Sequence, residues 1–166
     1  MFTLLGVSTE WGYRKGLDTF VRLAEELGDA YQIVLVGTNK KLDRALPKTI
    51  RSIHRTDSAQ QLAQLYTAAD LFVNPTREEN FPTVNLESLA CGTPVLTYRT
   101  GGSPESLTEK VGAVVNCDDY GALKAAIARI RDTRPFASED CVAQARRFDK
   151  GDKFDEYVEL YQRHFE

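Results

Sequence analysis

The sequence predicts an α/β domain of Rossmann-like type, three layers deep and built on a mostly parallel sheet. Three observations lead there. Short continuous apolar runs alternate with segments whose apolar residues recur at helical spacing, over ~120 residues. The strongest run, Tyr31-Gln32-Ile33-Val34-Leu35-Val36, ends in four consecutive apolar residues, the pattern of a strand covered on both faces. The chain has 166 residues, enough for one domain with a real core and too few for two.

The elements can be justified in order. Leu4-Leu5-Gly6-Val7 is a first strand, and Leu17, Phe20, Val21, Ala24 and Leu27 mark one face of a helix, with Gly28 as its stop. After the strand at 31–36, residues 50–54 form a weaker one. Over 58–69, Leu62, Leu65, Tyr66 and Ala69 share a helical face, capped by Asp57 or Ser58. Leu71-Phe72-Val73 is a strand and 83–91 a helix closed by Gly92 and Pro94; strands follow at 94–97 and 113–115. Helices at 120–131, 138–148 and 153–165 complete the chain. Such alternation implies right-handed crossovers, with ligands bound beyond the carboxyl ends of the strands near a switch in strand order. The informative loops are therefore those after Val7, Val36, His54, Val73 and Thr97.

Composition removes several functional classes. A net charge of −3 and a pI near 5.5 give no basic excess, and Arg146-Arg147 is too small a cluster for a nucleic-acid partner. The apolar runs are too short for a transmembrane segment and the first residues lack a signal-peptide pattern, so a cytoplasmic location is expected. Cys91, Cys117 and Cys141 have no metal or disulfide spacing, and Cys91 reads as a buried thiol. Neither GxGxxG nor GxxxxGK[ST] occurs, and no Ser-His-Asp set can be assembled; His54 is a candidate for lining a pocket and His164 for packing.

Three loops carry candidate chemistry. The stretch from Asn74 to Glu87 leaves a buried strand, makes a polar loop and enters a helix with Pro82 and Thr83 in its first turn. Free N–H groups and the helix dipole make that end an anion site, and Glu87, a turn further in, is placed to accept from vicinal hydroxyls. Glu79 sits eight positions earlier. On spacing alone, the favoured reading of both glutamates is that of solvated acids beside a helix start. After the first strand, Arg14 and Lys15 precede Gly16, a clamp for a diphosphate or simply a basic surface loop. Gly101 and Gly102 after the 94–97 strand permit close backbone approach, while Ser103-Pro104 suits an ordinary helix start.

Taken in order, these segments resemble the C-terminal, donor-binding domain of the family 4 retaining glycosyltransferases (glycosyl transferases group 1), one half of a GT-B fold. The resemblance covers Arg14-Lys15-Gly16, Ile33-Val34-Leu35-Val36-Gly37, Leu65-Tyr66-Thr67-Ala68-Ala69-Asp70, residues 79–95, Gly101-Gly102-Ser103-Pro104-Glu105 and Tyr157-Val158-Glu159-Leu160-Tyr161. Its specific part is the Glu79-to-Glu87 pair followed by Ala90-Cys91-Gly92-Thr93-Pro94-Val95. The resemblance implies that Glu87 holds the ribose hydroxyls of a nucleotide-diphosphate sugar (UDP-, GDP- or ADP-linked). It assigns Glu79 to the donor sugar or the departing charge, and Lys15 with Arg14 to the diphosphate. Asn80, Phe81, Pro82, Thr83 and Val84 would surround sugar and phosphate, with Arg55 and Thr56 near the base and Gly16, Gly101 and Gly102 supporting the loops. No cofactor and no metal are implied.

Two departures stand out. The arginine that often follows the first-strand glycine is Val7 here, and the family's Gly-Phe-Gly is Asn80-Phe81-Pro82, whose residue 82 cannot donate an N–H. The resemblance further implies a role in cell-surface polysaccharide synthesis and an acceptor-binding N-terminal domain absent from these residues. With that half absent, the isolated domain is expected to transfer little sugar. Any membrane association would be peripheral, at the inner membrane, and would belong to the absent half. The final helix is expected to expose apolar surface. The competing readings are a GT-B sugar-nucleotide epimerase or a phosphorylase, and a non-catalytic or receiver-like α/β binding domain.

Overall fold

Six strands line up in parallel in the order β3-β2-β1-β4-β5-β6, in a computed structural model that describes residues 1–165. They are β1 (Phe2–Val7), β2 (Tyr31–Val36), β3 (Ile50–Ile53), β4 (Leu71–Asn74), β5 (Val95–Tyr98) and β6 (Gly112–Val115). The sheet is parallel at every pairing, beyond the expectation of mostly parallel.

Strand periodicity divides the apolar residues between two cores. Leu4, Ile33, Leu35, Leu71, Val73 and Leu96 point to one face, which α1 (Leu17–Glu26) covers with Phe20 and Leu23. There α5 (Tyr120–Thr133) adds Leu123, Ile127 and Ile130. Leu5, Val34, Val36, Phe72 and Val95 point to the other face. That side is closed by Tyr66 of α3 (Ala59–Ala68), Leu89 of α4 (Thr83–Ala90) and Cys141 of α6 (Ser138–Arg146). Burial on both faces explains why β1 and β2 read as apolar runs, and each large side chain removed from water contributes about 1.5–3 kcal/mol.

Several local expectations are corrected. A single turn, α2 (Lys40–Asp43), exists because Asn39 Oδ1 accepts from the amides of Lys41 and Leu42, a cap strong enough to nucleate a turn with no apolar period. Leu27, not Gly28, caps α1. Gly102, not Ser103, precedes a short 3-10 turn at Ser103–Ser106. Cys91 is only half-buried, and Cys141 is the buried thiol. The last helix, α7 (Lys150–Phe165), starts earlier than expected, and it presents Phe154, Tyr157, Val158 and Leu160 more than half exposed, the apolar surface the sequence led us to expect. Among the described residues, no helix is long and apolar enough to cross a membrane.

The face under α1 and α5 is also tied electrostatically. Glu26 of α1 accepts from Lys124 Nζ of α5 at 2.6 Å and from Arg22 Nε at 2.8 Å. Those bonds, Lys124's first, hold its carboxyl down at about 2, against an ordinary 4.5. A carboxyl with a depressed folded-state value contributes stability above its unfolded value and loses it as pH falls toward the folded one. We therefore expect Glu26→Gln to lower the urea midpoint at pH 6 and to approach the parent protein between pH 4.5 and 2, a convergence read by urea titrations at each pH.

Candidate functional site

The polar loops meet where the sheet changes direction. The β1 connection runs toward β2 and the β4 connection toward β5, so the loops after these adjacent strands part and open a cleft. It is a cavity of about 400 Å³. Val7, Ser8, Trp11 and Lys15 line it from one side, and Asn74, Glu79 and the start of α4 from the other.

Lys15 ends a 3-10 turn at Tyr13–Lys15, and its Nζ lies 2.6 Å from Glu79 Oε2 across the cleft, with both side chains largely buried. Glu79 Oε1 accepts the Asn80 amide. Below them α4 starts without a capping side chain and without an acidic residue in its first turn. Thr83 and Val84 therefore bring the positive end of a helix to the cavity wall. Pro82 is the extended residue preceding α4 rather than part of its first turn. Glu87 lines the same cavity, and Tyr66 of α3 donates to its Oε2 at 3.1 Å.

Of the residues singled out from sequence, Lys15, Glu79, Phe81, Pro82, Thr83, Val84 and Glu87 share this cavity. Arg14, Asn80, Arg55 and Thr56 are not among its lining residues, and neither is His54. The Arg14 contribution is its main chain, whose carbonyl accepts from the Arg77 amide at 2.8 Å. His54 pairs instead with Asp43 of α2, and that hydrogen bond holds the Asp43 carboxyl below its usual value. The three glycines stand behind the cleft. Gly101 has φ +48°, and a Cβ there would lie 1.7 Å from the Glu79 carbonyl oxygen; at Gly102 one would lie 2.3 Å from that of Asn80. Gly16 has φ +73° and packs on Pro75. Their lack of a side chain lets neighbouring backbone support the 75–82 loop.

Sequence reasoning missed three groups. The first is Arg77, read only as part of a polar loop. Its guanidinium, with a side chain only 12% exposed, reaches Asp18 through both terminal nitrogens at 2.8 Å and Asp118 through Nε at 2.6 Å. It also donates to the Tyr13 carbonyl and lies 3.8 Å over the Tyr13 ring. Burial works against its charge, but the two aspartates outweigh burial and raise its pKa. Arg77 thus binds the Lys15 turn to the Glu79 loop.

The second is Asn85, fully buried, which accepts from Asn74 at 2.9 Å and donates to the Ser103 carbonyl and Ser106 Oγ at 3.3 Å. It locks α4 to β4 and to the 3-10 turn. The third is Trp11, whose indole N–H donates to the Val36 carbonyl at 2.9 Å while its ring meets Phe20 edge-on. A Cβ on Gly6 would collide with Phe20, Leu35 and Trp11, which explains a glycine in the centre of the sheet. The only advance signals were an arginine beside the cleft loop, an asparagine on an apolar helix face and that strand glycine; each partner lies far away in sequence.

Fold and cleft together define a Rossmann-like α/β domain with a polar cleft at its switch point, the architecture found in GT-B glycosyltransferases. The chain belongs to the glycosyl transferases group 1 family, whose model matches residues 2–132. It is 36% identical over 121 residues to a D-inositol 3-phosphate glycosyltransferase of Mycolicibacterium smegmatis, covering 72% of this chain and 24% of that protein. Among solved structures, sucrose-phosphate synthase from Thermosynechococcus elongatus superposes with a TM-score of 0.82 at 25% identity, over 99% of this chain and 46% of that one. Anabaena HepE in complex with UDP-glucose gives 0.78 at 21% identity, over 96% and 48%. The chain thus spans about a quarter of that curated relative and just under half of those two structures.

Arg77 offers a direct check on this geometry. The guanidinium fork makes four hydrogen bonds to Asp18, Asp118 and the Tyr13 carbonyl, more than the three donors of a single ammonium nitrogen, so Arg77→Lys is expected to lower unfolding stability by about 2 kcal/mol in urea titrations.

Proposed function

We propose that these residues form the donor-binding half of a family 4 retaining glycosyltransferase that takes a nucleotide-diphosphate sugar. The observation that carries this reading is the convergence of Lys15, Glu79, the start of α4 and Glu87 on one cavity. A diphosphate needs positive charge at fixed positions, and the Lys15 ammonium and the α4 N-terminus supply it. A ribose needs an acceptor for two adjacent hydroxyls, and the Glu87 carboxylate is one. A sugar carried between them lies against Glu79.

In this reading, transfer is driven by electrostatics. As the glycosyl bond breaks, negative charge grows on the leaving phosphate, where Lys15 and the Thr83 and Val84 amides already stand. Pro82 has no N–H, so the phosphate takes its donors from the residues after it. Glu79, released from Lys15 when the diphosphate engages that cation, carries negative charge beside the sugar ring, where positive charge develops.

The acceptor site falls to a second domain outside these residues. The exposed Phe154, Tyr157, Val158 and Leu160 of α7 suit contact with such a domain. Relatives that act on D-inositol 3-phosphate and on a phosphatidylinositol mannoside support a polyol-bearing or lipid-linked acceptor. The wider role we propose is cell-surface polysaccharide assembly, in the cytoplasm at the inner membrane face. UDP is the first nucleotide to test, because HepE was solved with UDP-glucose.

Binding is read by thermal shift and titration calorimetry with UDP, GDP and ADP. One of them, at a hundred times its dissociation constant, should stabilise the fold by about 2.7 kcal/mol, a rise of roughly 5–10 °C. Lys15→Ala is expected to weaken the diphosphate at least tenfold, about 1.4 kcal/mol, and to leave the corresponding nucleoside unaffected. No binding of any diphosphate at millimolar concentration removes this reading.

A further inference from the structure

Glu87 is exposed on α4, yet one of its oxygens is already engaged. The donor, Tyr66, is buried at 1% exposure and held at several points. Its ring meets Phe72 of β4 edge-on at 5.4 Å, and its main-chain carbonyl accepts from Thr93 Oγ1 at 2.6 Å and from the Ala69 amide at 3.0 Å. Tyr66 is therefore fixed from β4 and from the segment joining α4 to β5, while Glu87 stands on a separate helix. Tyr66 does not itself line the cleft; its hydroxyl reaches Glu87, which does.

A buried tyrosine hydroxyl needs a partner, and a core tyrosine could use any acceptor. This one uses a carboxylate that lines the cavity. A glutamate at a helix surface has three rotatable bonds, and holding it in one orientation costs entropy that ligand binding would otherwise have to meet. A fixed donor on Oε2 removes that freedom in advance and leaves Oε1 with no hydrogen-bond partner among the described residues. Burial, and then the nearby Glu87 charge, push the Tyr66 phenol above its ordinary value, so it stays protonated and donating throughout the working pH range.

We propose that Tyr66 is a positioning residue for the nucleotide ribose: its hydroxyl fixes the Glu87 carboxylate so that the free oxygen meets the vicinal hydroxyls. This rests on the reading of Glu87 as the diol acceptor. It separates Tyr66 from a core residue that merely satisfies its own hydroxyl, because a positioning role depends on the ligand and a packing role does not.

The test compares UDP and GDP with their 2′,3′-dideoxy analogues by titration calorimetry on the parent protein, Tyr66→Phe, Glu87→Gln and the double variant. Tyr66→Phe keeps the ring against Phe72, and circular dichroism verifies its fold. Expected is a loss of about fivefold in affinity for the parent nucleotide in Tyr66→Phe, with the dideoxy analogue bound equally by both proteins. In the Glu87→Gln background, removing the hydroxyl should cost little more. Equal losses on both ligands would mark Tyr66 as a packing residue, and no loss on either would deny it any role; both overturn the proposal while leaving the donor site standing. A parent protein that does not distinguish the nucleotide from its dideoxy form overturns the diol role of Glu87 and this proposal with it.

Discussion

The cleft exists because the chain adds strands on opposite sides of one central pair. β1 and β4 lie side by side, but the chain leaves β1 toward β2 and leaves β4 toward β5. Helices that must cover a parallel sheet then take different faces, α1 on one and α4 on the other. The two loops cannot follow each other, so a gap opens between them at the carboxyl edge. Lys15, Glu79, the start of α4 and Glu87 are arranged around that gap.

Keeping two diverging loops at fixed separation is a mechanical problem, and the protein solves it with buried or half-buried polar groups. Arg77 reaches back from the β4 loop to the turn that carries Lys15, and Asn85 ties the first turns of α4 to β4 and to the loop beyond β5. Such groups contribute little net stability against an apolar replacement but impose a strong penalty when left half-paired. Their consequence is definition: the loop has one position in which Arg77 satisfies two aspartates and a carbonyl together. The glycines act in the same direction by removing the Cβ atoms that would hold neighbouring backbone away.

The layered fold was legible because burial on both faces leaves a plain trace, the continuous apolar runs of β1 and β2, and because crossover helices carry a clear helical period. The cleft loops were legible for a related reason: polar segments that leave buried strands next to prolines and glycines have few alternatives. Side-chain direction was not. Arg14 and Lys15 are adjacent, yet in the 3-10 turn only Lys15 faces the cleft. Asn80 sits between two residues that line it and is itself exposed. Arg77 and Tyr66 were invisible for a different reason. An arginine in a polar loop and a tyrosine on an apolar helix face are ordinary, and their partners lie 41 and 59 residues away for Arg77 and 21 for Tyr66. Periodicity carries no information about such contacts.

The pairing of Lys15 with Glu79 shows why a charged cleft can be stable without its ligand. A charged lysine held largely out of water with no counter-charge would be destabilising. Glu79, 2.6 Å away, supplies that counter-charge from the opposite loop, so the ammonium is held in place. The same contact would oppose the proposed binding, since a diphosphate would compete with Glu79 for the ammonium. In the proposed donor complex the competition would favour the diphosphate, because two phosphates carry more charge than one carboxylate and would also meet the α4 N-terminus, which Glu79 does not cap. The exchange would leave Glu79 uncompensated beside the sugar at the stage when, in the proposed reaction, the ring becomes electron-poor. A single ion pair would then act as structural partner before binding and as electrostatic component after it, with the loop geometry set by Arg77 and Asn85 unchanged.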